Sequence, residues 1–281
     1  MGFRAALIQM NSGDHPEANL ASLRAFLKQA ADGGAHIALT PEVTNCLAAS
    51  RAIQAQVLQD EADDITLATL REQARDLGLW VLAGSLALRS GDADGRFANR
   101  SLLIDPDGQI VARYDKIHMF DVQVSDSETY RESQAFRPGD KAVLADTPFA
   151  TFGLSICYDL RFPHLFRTLA QGGAAVLTIP SAFSPVTGEA HWEALLRARA
   201  IETGCYVLAP AQTGIHPARE GRPRRTYGHS LAVSPWGEVL LDMGTQPGVG
   251  FVQLDLDQIV AARGRIPSLF HDRPFTAPTL P

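Results

Sequence analysis

Lysine is scarce in this chain. Of 25 basic residues among 281, only Lys28, Lys116 and Lys141 are lysines, and the rest are arginine. Cysteine is also rare. Cys46, Cys157 and Cys205 form an odd, widely spaced set, which excludes a disulfide framework and fits a reducing, cytoplasmic setting where thiols stay free. No uninterrupted apolar stretch approaches the roughly 20 residues that a bilayer span needs, and Met1-Gly2-Phe3-Arg4 lacks the charged-then-apolar pattern of a signal peptide. There is no excess of positive charge either. The 31 acidic and 25 basic residues leave a formal charge of −6, so neither nucleic acid nor an anionic membrane is an expected partner. The eight histidines are scattered without ligand-type spacing, and no phosphate-cradling glycine loop occurs. Neither a metal nor a cofactor is expected.

What remains is an ordinary globular composition, 46% hydrophobic and 20% charged. Apolar periodicity predicts strands over Phe3–Met10, Ala35–Thr40, Trp80–Leu86, Arg100–Ile104 and Gln109–Tyr114. It predicts helices over Glu17–Asp32 and Asp64–Leu77. The stretch from Lys116 to about Thr147 reads as irregular. Strands then follow over Thr151–Ile156, Ala174–Ile179, Cys205–Ala211, Ser230–Ser234 and Glu238–Asp242, with helices over Pro163–Gln171 and Ala190–Thr203. Alternating strands and helices predict an α/β fold.

The two halves echo each other. Gly33-Gly34-Ala35-His36-Ile37 followed by Pro41 matches Gly172-Gly173-Ala174-Ala175-Val176 followed by Pro180. Gly78-Leu79-Trp80-Val81-Leu82-Ala83 matches Gly204-Cys205-Tyr206-Val207-Leu208-Ala209, and Ser101-Leu102 with Pro106 and Gly108 matches Ser230-Leu231 with Pro235 and Gly237. Three matches in the same order predict two similar halves, with sheets face to face and helices outside. The alternative is that short strand-turn-strand units look alike by chance. No Pro/Gly/Ser-rich linker separates the halves, so 1–281 reads as one domain.

Cys157 lies at a strand-to-helix turn, between Phe152-Gly153-Leu154-Ser155-Ile156 and Tyr158-Asp159-Leu160-Arg161-Phe162-Pro163. Such a turn can expose a nucleophile and aim backbone N–H groups at the same point; the alternative is an inert buried thiol. Cys205 reads as core, and Cys46 carries no signal. A thiol needs a base or a positive field to attack at neutral pH. Glu42 is the candidate base. It follows a strand end, where ligands bind in open α/β sheets, and its repeat equivalent is Ser181; otherwise it is a solvated loop carboxylate. Lys116, in Tyr114-Asp115-Lys116-Ile117-His118-Met119-Phe120, has apolar and aromatic neighbours. It is either an oxyanion-stabilising ammonium or a snorkelling surface lysine.

The segments around Glu42, Lys116 and Cys157 resemble the Glu-Lys-Cys triad of the nitrilase, or carbon–nitrogen hydrolase, superfamily, and the resemblance runs from about Phe3 to Pro274. It implies a four-layer α-β-β-α sandwich with pseudo-twofold halves. It also implies a second active-site glutamate at Glu132, in Tyr130-Arg131-Glu132-Ser133. Homodimers or larger homo-oligomers are expected, with the tail of about 265–281 contributing contacts. Tyr158-Asp159 after the cysteine differs from the Trp-Glu of nitrile-hydrolysing members. Pro180-Ser181-Ala182-Phe183, Thr187-Gly188 and Ala190-His191-Trp192-Glu193 resemble amidases acting on deaminated glutathione, with omega-amidases acting on α-ketoglutaramate as the close alternative. Tyr227-Gly228-His229-Ser230 and Phe270-His271-Asp272-Arg273-Pro274 point the same way.

The expected reaction is hydrolysis of a small carboxylate-bearing linear amide through a thioester, with the Tyr158 N–H as an oxyanion donor. Arg161 is expected to grip a substrate carboxylate, as the matching residue does in related amidases together with those at the positions of Phe183 and Thr187. Otherwise Arg161 partners Asp159. Arg197, Arg199 and Glu202 read as scaffold or interface ion pairs, and His191 and Trp192 as packing. The Ser, Asp and Glu content of segment 122–136 is compatible with a lid, but the sequence does not say whether it closes over the pocket. Readings from other classes are a papain-like Cys-His protease, for which His164, His191 and His229 give no local signature, and a non-catalytic binding scaffold.

Overall fold

Residues 2–48, 50–125, 128–219 and 223–278 are described in a computed structural model. From the N-terminus the chain runs β1 (Gly2–Gln9), α1 (Pro16–Asp32), β2 (Ile37–Leu39), α2 (Arg51–Val57), α3 (Ile65–Leu77), β3 (Trp80–Arg89), β4 (Phe97–Ile104), β5 (Ile110–Asp115), β6 (Asp121–Ser125), β7 (Glu128–Arg131) and β8 (Val143–Asp146). It continues with β9 (Thr151–Leu154), α4 (Pro163–Gln171), β10 (Val176–Thr178), α5 (Pro185–Thr203), β11 (Tyr206–Ala209), β12 (Thr213–Ile215), β13 (Arg225–Tyr227), β14 (Leu231–Val233), β15 (Val239–Asp242), β16 (Gly248–Asp255) and α6 (Asp257–Arg265). No helix among the described residues is long and apolar enough to cross a membrane.

Two six-stranded sheets form, in the orders β16-β1-β2-β3-β4-β5 and β8-β9-β10-β11-β14-β15. In each, three central parallel strands are flanked by antiparallel ones. The repeat holds at the level of register. Ile37 pairs with Trp80 where Val176 pairs with Tyr206, and Ala83 pairs with Leu102 where Ala209 pairs with Leu231. Side chains alternate across a strand, and here both faces are apolar, as sheets covered on both sides require. Ala6, Ile8, Ala38 and Val81 pack with Leu23 and Leu27 of α1 and Leu67 and Leu70 of α3. Their alternates Ala5, Leu7, Ile37 and Leu82 cluster with Leu154, Val176 and Leu177 of the second sheet. Leu165 and Phe166 of α4 and Trp192 and Leu196 of α5 join that second cluster. The result is the α-β-β-α sandwich.

Local signals set the helix ends. Asp64 Oδ1 accepts from Leu67 N at 2.8 Å to cap α3, and Gly78 ends it at φ 63°. α5 starts at Pro185, five residues before the predicted Ala190. Pro185 suits the first helical turn, and the Ser184 side chain accepts from Thr187 N. Gly188 lies within this helix, and it is glycine there because a Cβ would sit 2.3 Å from the Tyr227 ring.

The stretch from Lys116 to Thr147 is not irregular throughout. It holds the β6–β7 pair, a 3-10 turn at Glu132–Gln134, and β8. The 122–136 segment thus contains an antiparallel pair, although its residues 126–127, like tail residues 279–281, lie outside the described residues. β6 (Asp-Val-Gln-Val-Ser) does alternate but over only five residues, and β7 (Glu-Thr-Tyr-Arg) is short and polar, so the pair was not read. α2, β12, β13, β16 and α6 were also unread, being short or glycine-rich. Trp192 is buried as expected, whereas His191 is exposed.

One irregularity sets up the site. The β3–β4 register shifts between Ala83 and Leu86, which frees Gly84 and Ser85 to bond the turn after β2. Gly84 N donates to Thr40 Oγ1, Ser85 N to Pro41 O, and Ser85 Oγ accepts from Val43 N. A Cβ on Gly84 would lie 1.9 Å from Thr40 O and 2.6 Å from Pro180 Cβ. Gly84→Ala is therefore expected to lower unfolding stability by about 2–3 kcal/mol, read as a lower urea midpoint at unchanged slope. An unchanged midpoint would contradict this packing.

Candidate active site

Glu42, Lys116 and Cys157 come from three distant strand ends and meet at the seam between the sheets. Glu42 follows β2, held in the turn that the β3 bulge grips. The neighbouring Val43 sits at φ 45° and Cys157 at φ 49°, conformations that L residues, and β-branched ones above all, rarely adopt. Such strain concentrates at functional positions. Lys116 follows β5, with its N–H on Asn99 O at 2.9 Å and its carbonyl accepting from Gly139 N at 2.8 Å. Cys157 opens a 3-10 turn after β9, and its N–H donates to Pro180 O at 3.0 Å.

The three side chains are almost sealed from solvent. Glu42 is 4% exposed, Lys116 2% and Cys157 7%. Lys116 Nζ lies 2.8 Å from Glu42 Oε1 and 2.9 Å from each oxygen of Glu132. Asn99 Nδ2 donates to Glu42 Oε1 at 2.9 Å and to Glu132 Oε1 at 3.4 Å. Ala182 N donates to Glu42 Oε2 at 2.8 Å, and Phe120 N to Glu132 Oε2 at 2.6 Å. Every carboxylate oxygen thus has a partner, as buried charge requires.

These contacts fix the resting protonation. Burial pushes the Glu42 acid up, but the Lys116 ammonium beside it outweighs that and leaves it below the ordinary carboxylate value. Burial opposes the Lys116 charge, but Glu132 and Glu42 together outweigh it and raise its pKa above the usual lysine range. Burial, with the Glu42 charge next to it, pushes the Cys157 thiol up. The resting site therefore holds an ionised acid, an ammonium and a neutral thiol. Burial also pushes Cys46 up to about 12, yet Cys46 lines the same cavity, contrary to its bland sequence context.

That cavity measures about 840 Å³. Besides Glu42, Lys116, Glu132 and Cys157, its lining includes Tyr158, Phe183 and Thr187, and the 129–136 segment forms part of its wall. Arg161 is not among the lining residues. Its guanidinium lies over Tyr158 and Phe183, 5.9 and 5.7 Å from the ring centroids, and Nη2 contacts His191 Nδ1 at 3.2 Å. Nor is it the partner of Asp159. Arg199 is buried, pairs with Glu202 at 2.7 Å and donates to Leu160 O. Among the described residues no group of His, Cys, Asp and Glu could hold a metal ion.

Two residues went unrecognised as site builders. Asn99 bridges both glutamates; it is the first of three consecutive polar residues in β4, Asn99-Arg100-Ser101, and nothing local singles it out. Asp159, fully buried, ties the Lys116 loop to the cysteine turn. It accepts from Tyr114 Oη at 2.6 Å, Ile156 N at 2.8 Å and His118 N at 3.0 Å, and meets His118 Nδ1 at 2.7 Å. Asp159→Ala orphans all of these groups, so it is expected to cost about 3 kcal/mol or more, against about 1–2 for Tyr114→Phe. Urea unfolding of the two variants checks that order.

The comparisons agree with the geometry. A family model described as carbon–nitrogen hydrolase matches residues 4–264. A deaminated glutathione amidase of Yersinia enterocolitica is 41% identical over 270 residues, covering 95% of this chain and 92% of that protein. A human omega-amidase is 36% identical, covering 94% and 93%. Among solved structures, the C. elegans NitFhit protein superposes with a TM-score of 0.88 at 34% identity; the match covers 97% of this chain and 65% of that longer one.

Proposed function

The chain belongs to the carbon–nitrogen hydrolase family, and on that premise we propose that Cys157, Glu42 and Lys116 hydrolyse a small carboxylate-bearing linear amide of the deaminated-glutathione type through a thioester. The coarser statement is plain: this is a hydrolase of C–N bonds other than peptide bonds. The observation that carries the finer one is the sealed contact of Lys116 Nζ with Glu42, beside a thiol at a strained turn.

In the proposed sequence Glu42 accepts the thiol proton as Cys157 Sγ bonds to the amide carbon. A neutral resting thiol makes this general-base attack, not attack by a standing thiolate. The carbonyl oxygen becomes an oxyanion between Lys116 Nζ and the Tyr158 N–H. That N–H lies early in the 3-10 turn, where helical geometry provides no partner within the turn. Lys116 has three hydrogens; one shared between the two Glu132 oxygens and one on Glu42 leave the third for the oxyanion. Protonated Glu42 then donates to the leaving nitrogen as the C–N bond breaks. A water, deprotonated by Glu42, attacks the thioester, releasing the acid and the thiol. Glu132 positions Lys116 throughout.

Deaminated glutathione amidases and an omega-amidase both match along nearly the whole chain, so α-ketoglutaramate is the second substrate to test. A Cys-His protease finds no support, since no histidine lines the cavity among the described residues. The reading extends to a cytoplasmic homodimer or larger homo-oligomer of one carbon–nitrogen hydrolase domain. Val186 and Ile201 of α5, with Ile266 and Phe270 after α6, offer exposed apolar surface for assembly.

Cys157→Ala is expected to abolish amide hydrolysis, and Glu42→Gln and Lys116→Met to lower kcat by about 10² or more. Mass spectrometry of quenched wild-type enzyme should show the acyl adduct on the peptide carrying Cys157; turnover by Cys157→Ala would sink the mechanism. The pH profile separates it from histidine chemistry. Glu42 is held below the usual carboxylate value and Lys116 above the usual lysine value, so kcat/KM should stay level from about pH 6 to 9. It should fall only in acid, as Glu42 gains its proton. An inflexion near the ordinary histidine value of about 6.5 would contradict this.

A further inference from the structure

The charges around the cavity are unevenly placed. At its floor Glu42, Glu132 and Lys116 satisfy one another. At its mouth stand Arg51, Arg131, Arg224 and Arg225, and none of the four pairs with a carboxylate among the described residues. A chain of net charge −6 thus opens its cavity through a cationic rim, an arrangement that concentrates anions.

Arg224 is the most committed of the four. Its guanidinium lies 5.6 Å from the Tyr130 ring centroid, and Nη2 donates to Ala182 O at 3.3 Å. Its Nε is buried without any hydrogen-bond partner, which is costly unless a ligand supplies one. The backbone that carries it is fixed. Arg224 O accepts from His216 N at 2.9 Å. His216 Nδ1 can only donate to Ser12 O (2.8 Å), so Nε2 accepts from the Thr226 hydroxyl (2.7 Å). β12 and β13 pair on either side. This side chain is therefore presented from a hairpin tied to the end of β1.

Its place relative to the chemistry follows from one residue, Ala182, whose two flanking peptides face Glu42 and Arg224 in turn. Ala182 N donates to Glu42, and Ala182 O accepts from Arg224. In the proposed reaction Glu42 protonates the departing nitrogen, so the leaving amine occupies the Glu42 side, and Arg224 is one peptide further along that side. We propose that Arg224 is a specificity residue that binds a carboxylate carried by the leaving amine, so that the favoured substrates are amides of amino acids or short peptides and not primary amides. This rests on the amidase reading above. It distinguishes the two candidate substrates: deaminated glutathione releases a dipeptide with a free carboxylate, whereas α-ketoglutaramate releases ammonia.

The test compares deaminated glutathione with its C-terminal carboxamide, and both with α-ketoglutaramate. Wild-type enzyme should prefer the free carboxylate over the carboxamide by about 10–100-fold in kcat/KM, the worth of a hydrogen bond to a charged group. In Arg224→Gln that preference should collapse towards unity, mainly through a higher KM for the free carboxylate, and Arg224→Lys should restore part of it. Wild-type enzyme that hydrolyses these amides without discriminating carboxylate from carboxamide overturns the subsite alone, whatever the stability of the variants. So does an Arg224→Gln enzyme that keeps the full preference. Wild-type enzyme that hydrolyses none of the three overturns the amidase reading and the subsite with it.

Discussion

The Lys116 ammonium is held between two carboxylates, Glu42 at 2.8 Å and Glu132 at 2.9 Å, in a region almost closed to water. Taking three charges out of solvent is expensive, and removing one partner from such a group leaves the others uncompensated. The surrounding backbone is organised to meet that cost. The β3 bulge holds the Glu42 turn, Asn99 bridges the two acids, Phe120 N and Ala182 N satisfy the remaining oxygens, and Asp159 fixes the loop after Lys116 to the cysteine turn. The geometry at the sulfur depends on this one charge cluster.

The cluster also accounts for the lysine. Its ammonium is a compact point charge with three donors, and here carboxylates converge on it from two sides. An arginine fork would present a planar array suited to one carboxylate at a time. In a chain that otherwise favours arginine, a lysine here is a geometric choice. The arginines do a different job at the cavity mouth, where Arg224 has room to lie along the Tyr130 ring.

Much of this was legible in the sequence because it rests on short-range pattern. Apolar runs ended by Pro41 and Pro180 gave the strand ends, and the Gly-Gly and Pro-x-Gly echoes gave two halves that pair in the same register. Glu42, Lys116 and Cys157 each carried a local oddity, and resemblance supplied Glu132. What could not be read depends on contacts across the fold. Asn99 is one polar residue in β4 until Glu42 and Glu132 are set beside it. Asp159 was weighed as a partner for Arg161, yet its four contacts go to Tyr114, Ile156 and His118. The β6–β7 pair is too short for its alternation, present only in β6, to stand out, and the start of α5 was hidden by a glycine whose reason is the Tyr227 ring.

The in-register halves have one more consequence. Superimposing them strand by strand puts Met10 at the position of Cys157, Ser181 at that of Glu42 and Thr245 at that of Lys116. Those three positions therefore carry a thioether that cannot ionise, a hydroxyl too weak to serve as a base, and a threonine in place of the ammonium. The scaffold is double, but in the proposed mechanism the reactive groups are divided, with the acid and the ammonium in one half and the sulfur in the other. Neither half contains a complete set. Under that proposal turnover reports the alignment of the two sheets against each other, and a slip along their seam would silence the molecule while each half kept its own hydrogen-bonded ladder.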